Sequence, residues 1–319
     1  MQKKKLLLSA IVLLMGTNSY GRLYPKDGEV ITQENIEKHL GEKPDKNGVA
    51  TIVSIAKNVG ASVDEKVNLE LVNSEDGVLK KVINIASGSS DIATTNNGII
   101  KATNNGGKGV EIVSIQSGKF VNNGTIDING AGGKGINITG ANVKTENNGT
   151  IEVNGGASGV VVSNDSASFV NNETGKIIAT GTNSKGIDIT KGQAINKGTI
   201  VVGKDLETGK ITSQTIGANV NGGSFENKKS IEVYGENSKG IAVYKGVATN
   251  KGTIVAQEKS AAVYLANANG SFINEENGTI IADGTGSKAI QFGEGAKNAT
   301  NKGIIIVKNS ADGVVLTKN

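Results

Sequence analysis

The phrase NNGTI at Asn122–Ile126 returns at Asn147–Ile151, 25 residues later. Its Gly slot recurs along the chain at Gly98, Gly124, Gly149, Gly175, Gly198, Lys229, Gly252, Gly278 and Gly303, at steps of 23 to 31 residues. A second phrase, of the kind Gly133-Lys134-Gly135-Ile136, follows 10 or 11 residues behind the first in eight of nine units, with Gly109-Val110 taken as its first copy. The exception runs from Gly198 to Gly217, 19 residues. Two phrases held in step through nine units make an internal repeat.

Inside a unit, apolar and polar residues alternate over three to five positions, as in Ile126-Asp127-Ile128 and Ile136-Asn137-Ile138, with a weaker third segment such as Phe120-Val121 or Phe169-Val170. Period two over so short a span predicts short strands with one buried face. The Gly, Asn, Ser and Lys residues between them supply positive-φ and side-chain-bonded corners. A unit of about 25 residues with three such strands is one coil of a parallel β-helix. The chain is therefore expected to be all-β, a right-handed parallel β-helix (solenoid) of about nine to ten coils with a short N-terminal helical cap. At the strand spacing of ~4.8 Å, nine coils make a rod of roughly 43 Å. One coil cannot bury its own Ile and Val; stacked coils share a column of them. Composition agrees, because 45 Gly, no Trp, no Cys and 3% aromatics leave only small and β-branched residues for a narrow core.

The Asn residues before the Gly corner (Asn122, Asn147, Asn196, Asn250, Asn277 and Asn301 among them) are expected to stack as a ladder of amides. Leu69 and Leu71 fall where Ile126 and Ile128 sit, and Gly77 lies ten residues after Val67, so Val67 to Ala86 reads as a divergent coil, and TIVSIA from Thr51 as another strand. Upstream, Thr32 is an N-cap candidate, Ile36 and Leu40 lie four apart, and Gly41 is a stop signal, which predicts a short helix over the first coil's open edge.

The N-terminus carries Lys3, Lys4 and Lys5, ten mostly apolar residues from Leu6 to Met15, then small polar residues. This is the pattern of a secretory signal peptide, with cleavage expected between Gly21 and Arg22. The domains are then 1–21 signal peptide, 22–48 N-terminal segment with the helix, and 49–319 β-helical repeats, the last coil ending without a polar cap. Losing three lysines leaves 31 basic against 30 acidic residues. A nearly neutral chain lacks the basic footprint of a nucleic-acid binder. Secretion without cysteine leaves stability to packing and hydrogen bonds.

The inventory argues against an enzyme. The sole His, His39, falls in the cap helix, which removes His-based triads and metal sites from the rod, and no cofactor or metal is expected. The one Arg is Arg22, so a lyase would depend on Lys. An enzyme on this scaffold would show an acid-rich groove on the rod. The Gly-x-Gly stretches lack the ending of a phosphate loop. The single, interrupted Thr column (Thr125, Thr150, Thr199, Thr253, Thr279) is narrower than a flat ice-binding face. Two features remain as candidate binding surfaces. Lys108, Lys134, Lys185, Lys239 and Lys288 occupy one slot, on every second coil after the first pair, so charges stand roughly 10 Å apart, about one Debye length. Such a column suits acidic glycans, and equally a solvated face. The second feature is the surplus of eight residues in the irregular unit, read as a loop from Gly203 to Lys210 that protrudes with Lys204, Asp205, Glu207 and Lys210 as contact residues.

A signal followed by tandem units such as NNGTIDINGAGGKGINI and NKGTIVAQ resembles the β-helical passenger repeats of autotransporters, the type V secreted proteins of Gram-negative bacteria. The resemblance covers Val67 to Asn319 and implies a secreted, cell-surface adhesin or host-interaction protein, with a host-cell or matrix protein or glycan as partner. Such proteins end in an outer-membrane β-barrel translocator, which this chain does not contain. A structural stalk presenting a further C-terminal domain, and a polysaccharide-degrading β-helix enzyme, are the alternatives.

Overall fold

The computed structural model describes residues 11–15, 23–39, 50–56, 59–73, 79–86, 93–104 and 109–317. They form a parallel β-solenoid of about nine turns with almost no helix. Every pairing between named strands is parallel, and from Glu29 onward partners lie one coil apart. Most coils contribute three strands; in two of them a single long strand, Ile216–Asn227 or Lys239–Asn250, runs through two faces. Face A is an 11-stranded sheet that carries the NGTI segments, for example Thr125–Asn129 on Thr150–Asn154. Faces B and C belong to one 20-stranded sheet. Face B holds Lys134–Ile138 on Ser158–Val162, and face C holds Lys119–Asn122 on Lys144–Asn147.

Alternation decides the core. Ile126, Ile128, Ile151, Ile136 and Ile138 are fully buried. Asp127 and Glu152 take the outward positions between buried neighbours. Face C alternates large and small residues along the rod axis: Thr94, Phe120, Thr145, Phe169, Ala194, Phe225, Ala248, Phe272 and Ala299 are successive partners. A ring on every second coil fills the space that its small neighbours leave, so the packing period here is two coils.

The amide ladder is present. From Asn96 to Asn274 each ladder Asn Nδ2 donates to the Oδ1 of the next, ending at Asn301, at 2.7 to 2.8 Å, and most also donate to a carbonyl of their own corner, as Asn147 does to Gly149. The expected member Asn277 is not in it. Asn274 fills the slot, as Asn171 does in the other unit of this type, because their corners hold two extra residues before the Gly. The ladder starts at Asn96 because the preceding rung is Val63, and the Asn96 Oδ1 has no partner.

The second-phrase glycines are packing positions as much as turns. A Cβ on Gly159 would meet the Gly186 carbonyl and the methyls of Val153 and Ile151, so the core-facing Ile/Val column of face A closes against these glycines.

The rod begins upstream of Val67. Leu23 bridges Val53, Glu29–Ile31 pairs with Ala61–Val63, and Ala50–Ile55 pairs with Leu79–Ile85. The helix spans Gln33–His39. The Thr32 Oγ1 accepts from the Asn35 N–H at 3.2 Å, and the Asn35 Oδ1 accepts from the Thr32 N–H at 2.9 Å, a reciprocal capping box. Ile36 is buried, and the Gln33 side chain accepts from the Asn68 N–H of the first complete face A rung. The apolar run Ile11–Met15 pairs with that same rung, Asn68–Asn73. Leu40, Gly41, Gly77, the proposed cleavage residues Gly21 and Arg22, and the His39 side chain lie outside the described residues.

Candidate functional site

The irregular unit leaves the solenoid differently from the sequence reading. Gly203 stays in the rod: its N–H donates to Ala179 O at 2.8 Å, the bond that Tyr234 N–H makes to Val202 O one coil on. Its φ is +75°, and a Cβ would collide with the Tyr234 carbonyl. Thr212 is back in line, where its Oγ1 accepts from Gly181 N–H. The insertion is therefore Lys204–Ile211, one residue later than the proposed Gly203–Lys210. Equal spacing fixes the length of an insertion but not its ends, and the demand for a positive φ at Gly203 decides them.

These eight residues form a small hairpin. Lys204 and Ile211 make an antiparallel bridge, Thr212 N–H donates to Gly203 O at 2.7 Å, and Asp205 N–H donates to Lys210 O at 2.9 Å. Asp205 Oδ1 accepts from the N–H groups of Glu207 and Thr208, and the Thr208 bond leads in holding the Asp205 carboxyl below its ordinary range. The hairpin does not project straight into solvent. It lies back over the outer face of sheet A, where Asp205, Leu206 and Glu207 face Thr103, Asp127, Asn129, Glu152, Asn154, Ile178 and Thr180 across a cleft of about 210 Å³. Of the proposed contact residues, Asp205 and Glu207 line this cleft. Lys204 turns away, its Nζ 4.7 Å from the centre of the Tyr234 ring, and Lys210 stays exposed.

The cleft floor is acidic. The outward column of face A runs Glu70, Lys101, Asp127, Glu152, Ile178. Lys101 sits 3.8 Å from Asp127. Burial pushes the Asp127 carboxyl above its ordinary range against the pull of Lys101. Burial also raises Glu152, with Asp127 adding to it, Lys101 opposing, and Glu207 and Asp205 adding smaller pushes. Asp127 was legible as an outward residue; what covers it and Glu152 was not, since a hairpin folding back across coils leaves no local pattern. Among the described residues no group of three or more His, Cys, Asp or Glu is placed to hold a metal.

The slot forms a continuous column, with Glu111 where Lys108 was expected and Lys81 as an added member. Face B aligns Lys81, Glu111, Lys134, Ser158, Lys185, Ile216, Lys239, Ala261, Lys288 and Asp312. Lys108 lies outside the described residues. Its expected slot belongs to Glu111, because the corner before it is three residues longer than the next and Gly109-Val110 precedes the strand. The charges are largely answered locally. Lys134 reaches Glu111 at 3.4 Å, Lys185 reaches Asp188 at 2.7 Å, and Lys239 lies 4.9 Å from the centre of the Tyr264 ring, its burial lowering the ammonium pKa. Lys288 Nζ donates to Gly286 O at 3.0 Å. The column is chiefly a self-neutralised face.

A family model described as the BigA third pectate lyase-like domain matches residues 59–268, about two-thirds of the chain. The chain belongs to that family. The BigA-type match takes in the Lys204–Ile211 hairpin, its cleft and the column as far as Lys239; the coils from Gly270 onward lie beyond it. No curated protein and no solved structure matches the chain.

Proposed function

We propose that this chain is a passenger-type β-helical rod of the autotransporter kind, exported to the surface of a Gram-negative bacterium and acting as an adhesin or host-interaction protein. The partner in this reading is a host-cell or matrix protein or glycan, met at the hairpin and cleft of face A. Membership of the BigA third-domain family and the unbroken solenoid support the passenger reading. The placement of the site rests on one observation: the hairpin is the largest departure from coil register among the repeats, and it carries a concave, charged surface on a rigid scaffold. Deleting Lys204–Ile211 should leave melting unchanged and abolish attachment to host cells or matrix. Full attachment by that variant would move recognition to the faces of the rod.

The acid-lined cleft favours one second reading, a polysaccharide-degrading enzyme that uses Asp127 and Glu152. It predicts turnover of acidic or neutral polysaccharides that Glu152→Gln abolishes. Binding without turnover keeps the adhesin.

A further inference from the structure

We propose that the Lys204–Ile211 hairpin is an acid-closing flap over the outer face of sheet A. Three observations carry it. The flap has a closed neck: Gly203 O accepts from Thr212 N–H, and Asp205 N–H donates to Lys210 O, so the hairpin moves as one body about Gly203. It meets the sheet acid to acid. From the flap come Asp205 and Glu207; from the sheet come Asp127 and Glu152, with Leu206 and Ile178 as apolar lining.

Among the described residues no lysine lines the cleft. Lys101, beside Asp127, opposes the rise of both sheet carboxyls without reversing it, Lys204 lies on the Tyr234 ring, and Lys210 acts on Asp205 from within the hairpin. Glu70 continues the sheet column on the far side of Lys101, and Glu232, one coil beyond the flap's root, accepts from the Tyr234 hydroxyl at 3.2 Å.

Closure desolvates Asp127 and Glu152 and brings like charges over them, and both carboxyls are raised in the closed form. A lifted flap returns them toward ordinary carboxylate values. The closed form therefore binds more protons, so closure strengthens as pH falls through the raised values toward the ordinary range near ~4 and weakens toward neutrality. Asp205 takes no part in this titration, because its carboxyl is held low by bonds inside the hairpin that closure does not alter. Closing needs no partner, so this inference stands or falls apart from the attachment reading.

The chain has no Cys, so Thr208→Cys at the exposed tip gives a single site for a nitroxide label. The electron paramagnetic resonance line should pass from mobile to immobilised between about pH 8 and about pH 5, with the far-ultraviolet circular dichroism of the rod unchanged. In Asp127→Asn/Glu152→Gln on the same background, the pH response should disappear. A parent line shape that does not change over this range overturns the proposal, and so does an equal response in the double variant.

Discussion

Asn147 shows how one side chain holds three coils together. Its Nδ2 donates to Asn171 Oδ1 at 2.7 Å and to its own corner at Gly149 O, while its Oδ1 accepts from Asn122. Asn147→Ala therefore strands a buried donor below and a buried acceptor above, and should cost ~3 kcal/mol. Asn123→Ala, in the exposed outer row that links Asn97, Asn123 and Asn148, should cost about 0.5 kcal/mol or less. Denaturant titration of the pair checks the contrast. Thr145 makes the opposite case: it is buried in the face C column and its Oγ1 has no partner. Later small slots of the column hold Ala194, Ala248 and Ala299. Thr145→Val removes the orphaned hydroxyl at nearly constant volume and should raise stability by roughly 1 kcal/mol in the same titration.

At the scale of an element, the hairpin can be removed along two seams that differ by one residue. Deleting Lys204–Ile211 joins Gly203 to Thr212 and keeps glycine at φ +75°. Deleting Gly203–Lys210 has the same length but puts Ile211 into that conformation, against the Tyr234 carbonyl. A β-branched residue there is strained by about 1–2 kcal/mol before the clash is counted. The first variant should melt like the parent and the second several degrees lower, by calorimetry. Equal melting of both would mean that the corner tolerates a side chain. The Phe column is likewise an element with its own period: Phe169 lies between Thr145 and Ala194, and Phe169→Ala would leave three small residues in succession and cost about 3–5 kcal/mol.

Across the whole molecule, stability passes from coil to coil. Ile126 is fully buried and stacks between Ile100 and Ile151, so Ile126→Asp places an unpaired charge in a column that its neighbours share. The cost is several kcal/mol. Hydrogen exchange should show protection lost in the coils on both sides, not only in Thr125–Asn129. Unchanged protection in those coils would show that the coils are energetically independent. Export adds a second whole-chain expectation. Sequencing of secreted protein should return Arg22 as the first residue, and cleavage there removes Ile11–Met15 from the Asn68–Asn73 rung. Met1 at the N-terminus of exported protein would overturn the signal assignment.

Periodicity alone determined the solenoid. Apolar residues at every second position, an Asn before the corners and a return every 23 to 31 residues admit no other way to bury the apolar column, because each coil needs its neighbours. The same local signals placed the cap helix at Thr32 and, through the alternation Ile126-Asp127-Ile128, an outward Asp127. What sequence could not decide was alignment wherever corners change length: Asn274 in place of Asn277, Glu111 in place of Lys108, Lys204 in place of Gly203 as the start of the insertion. Backbone conformation and contact with the coil above settle those, and neither has a local signature. The cleft is the extreme case. It exists only because a hairpin rooted at Gly203 folds back over coils laid down about 25 to 100 residues earlier, and that meeting is written in no single stretch of the chain.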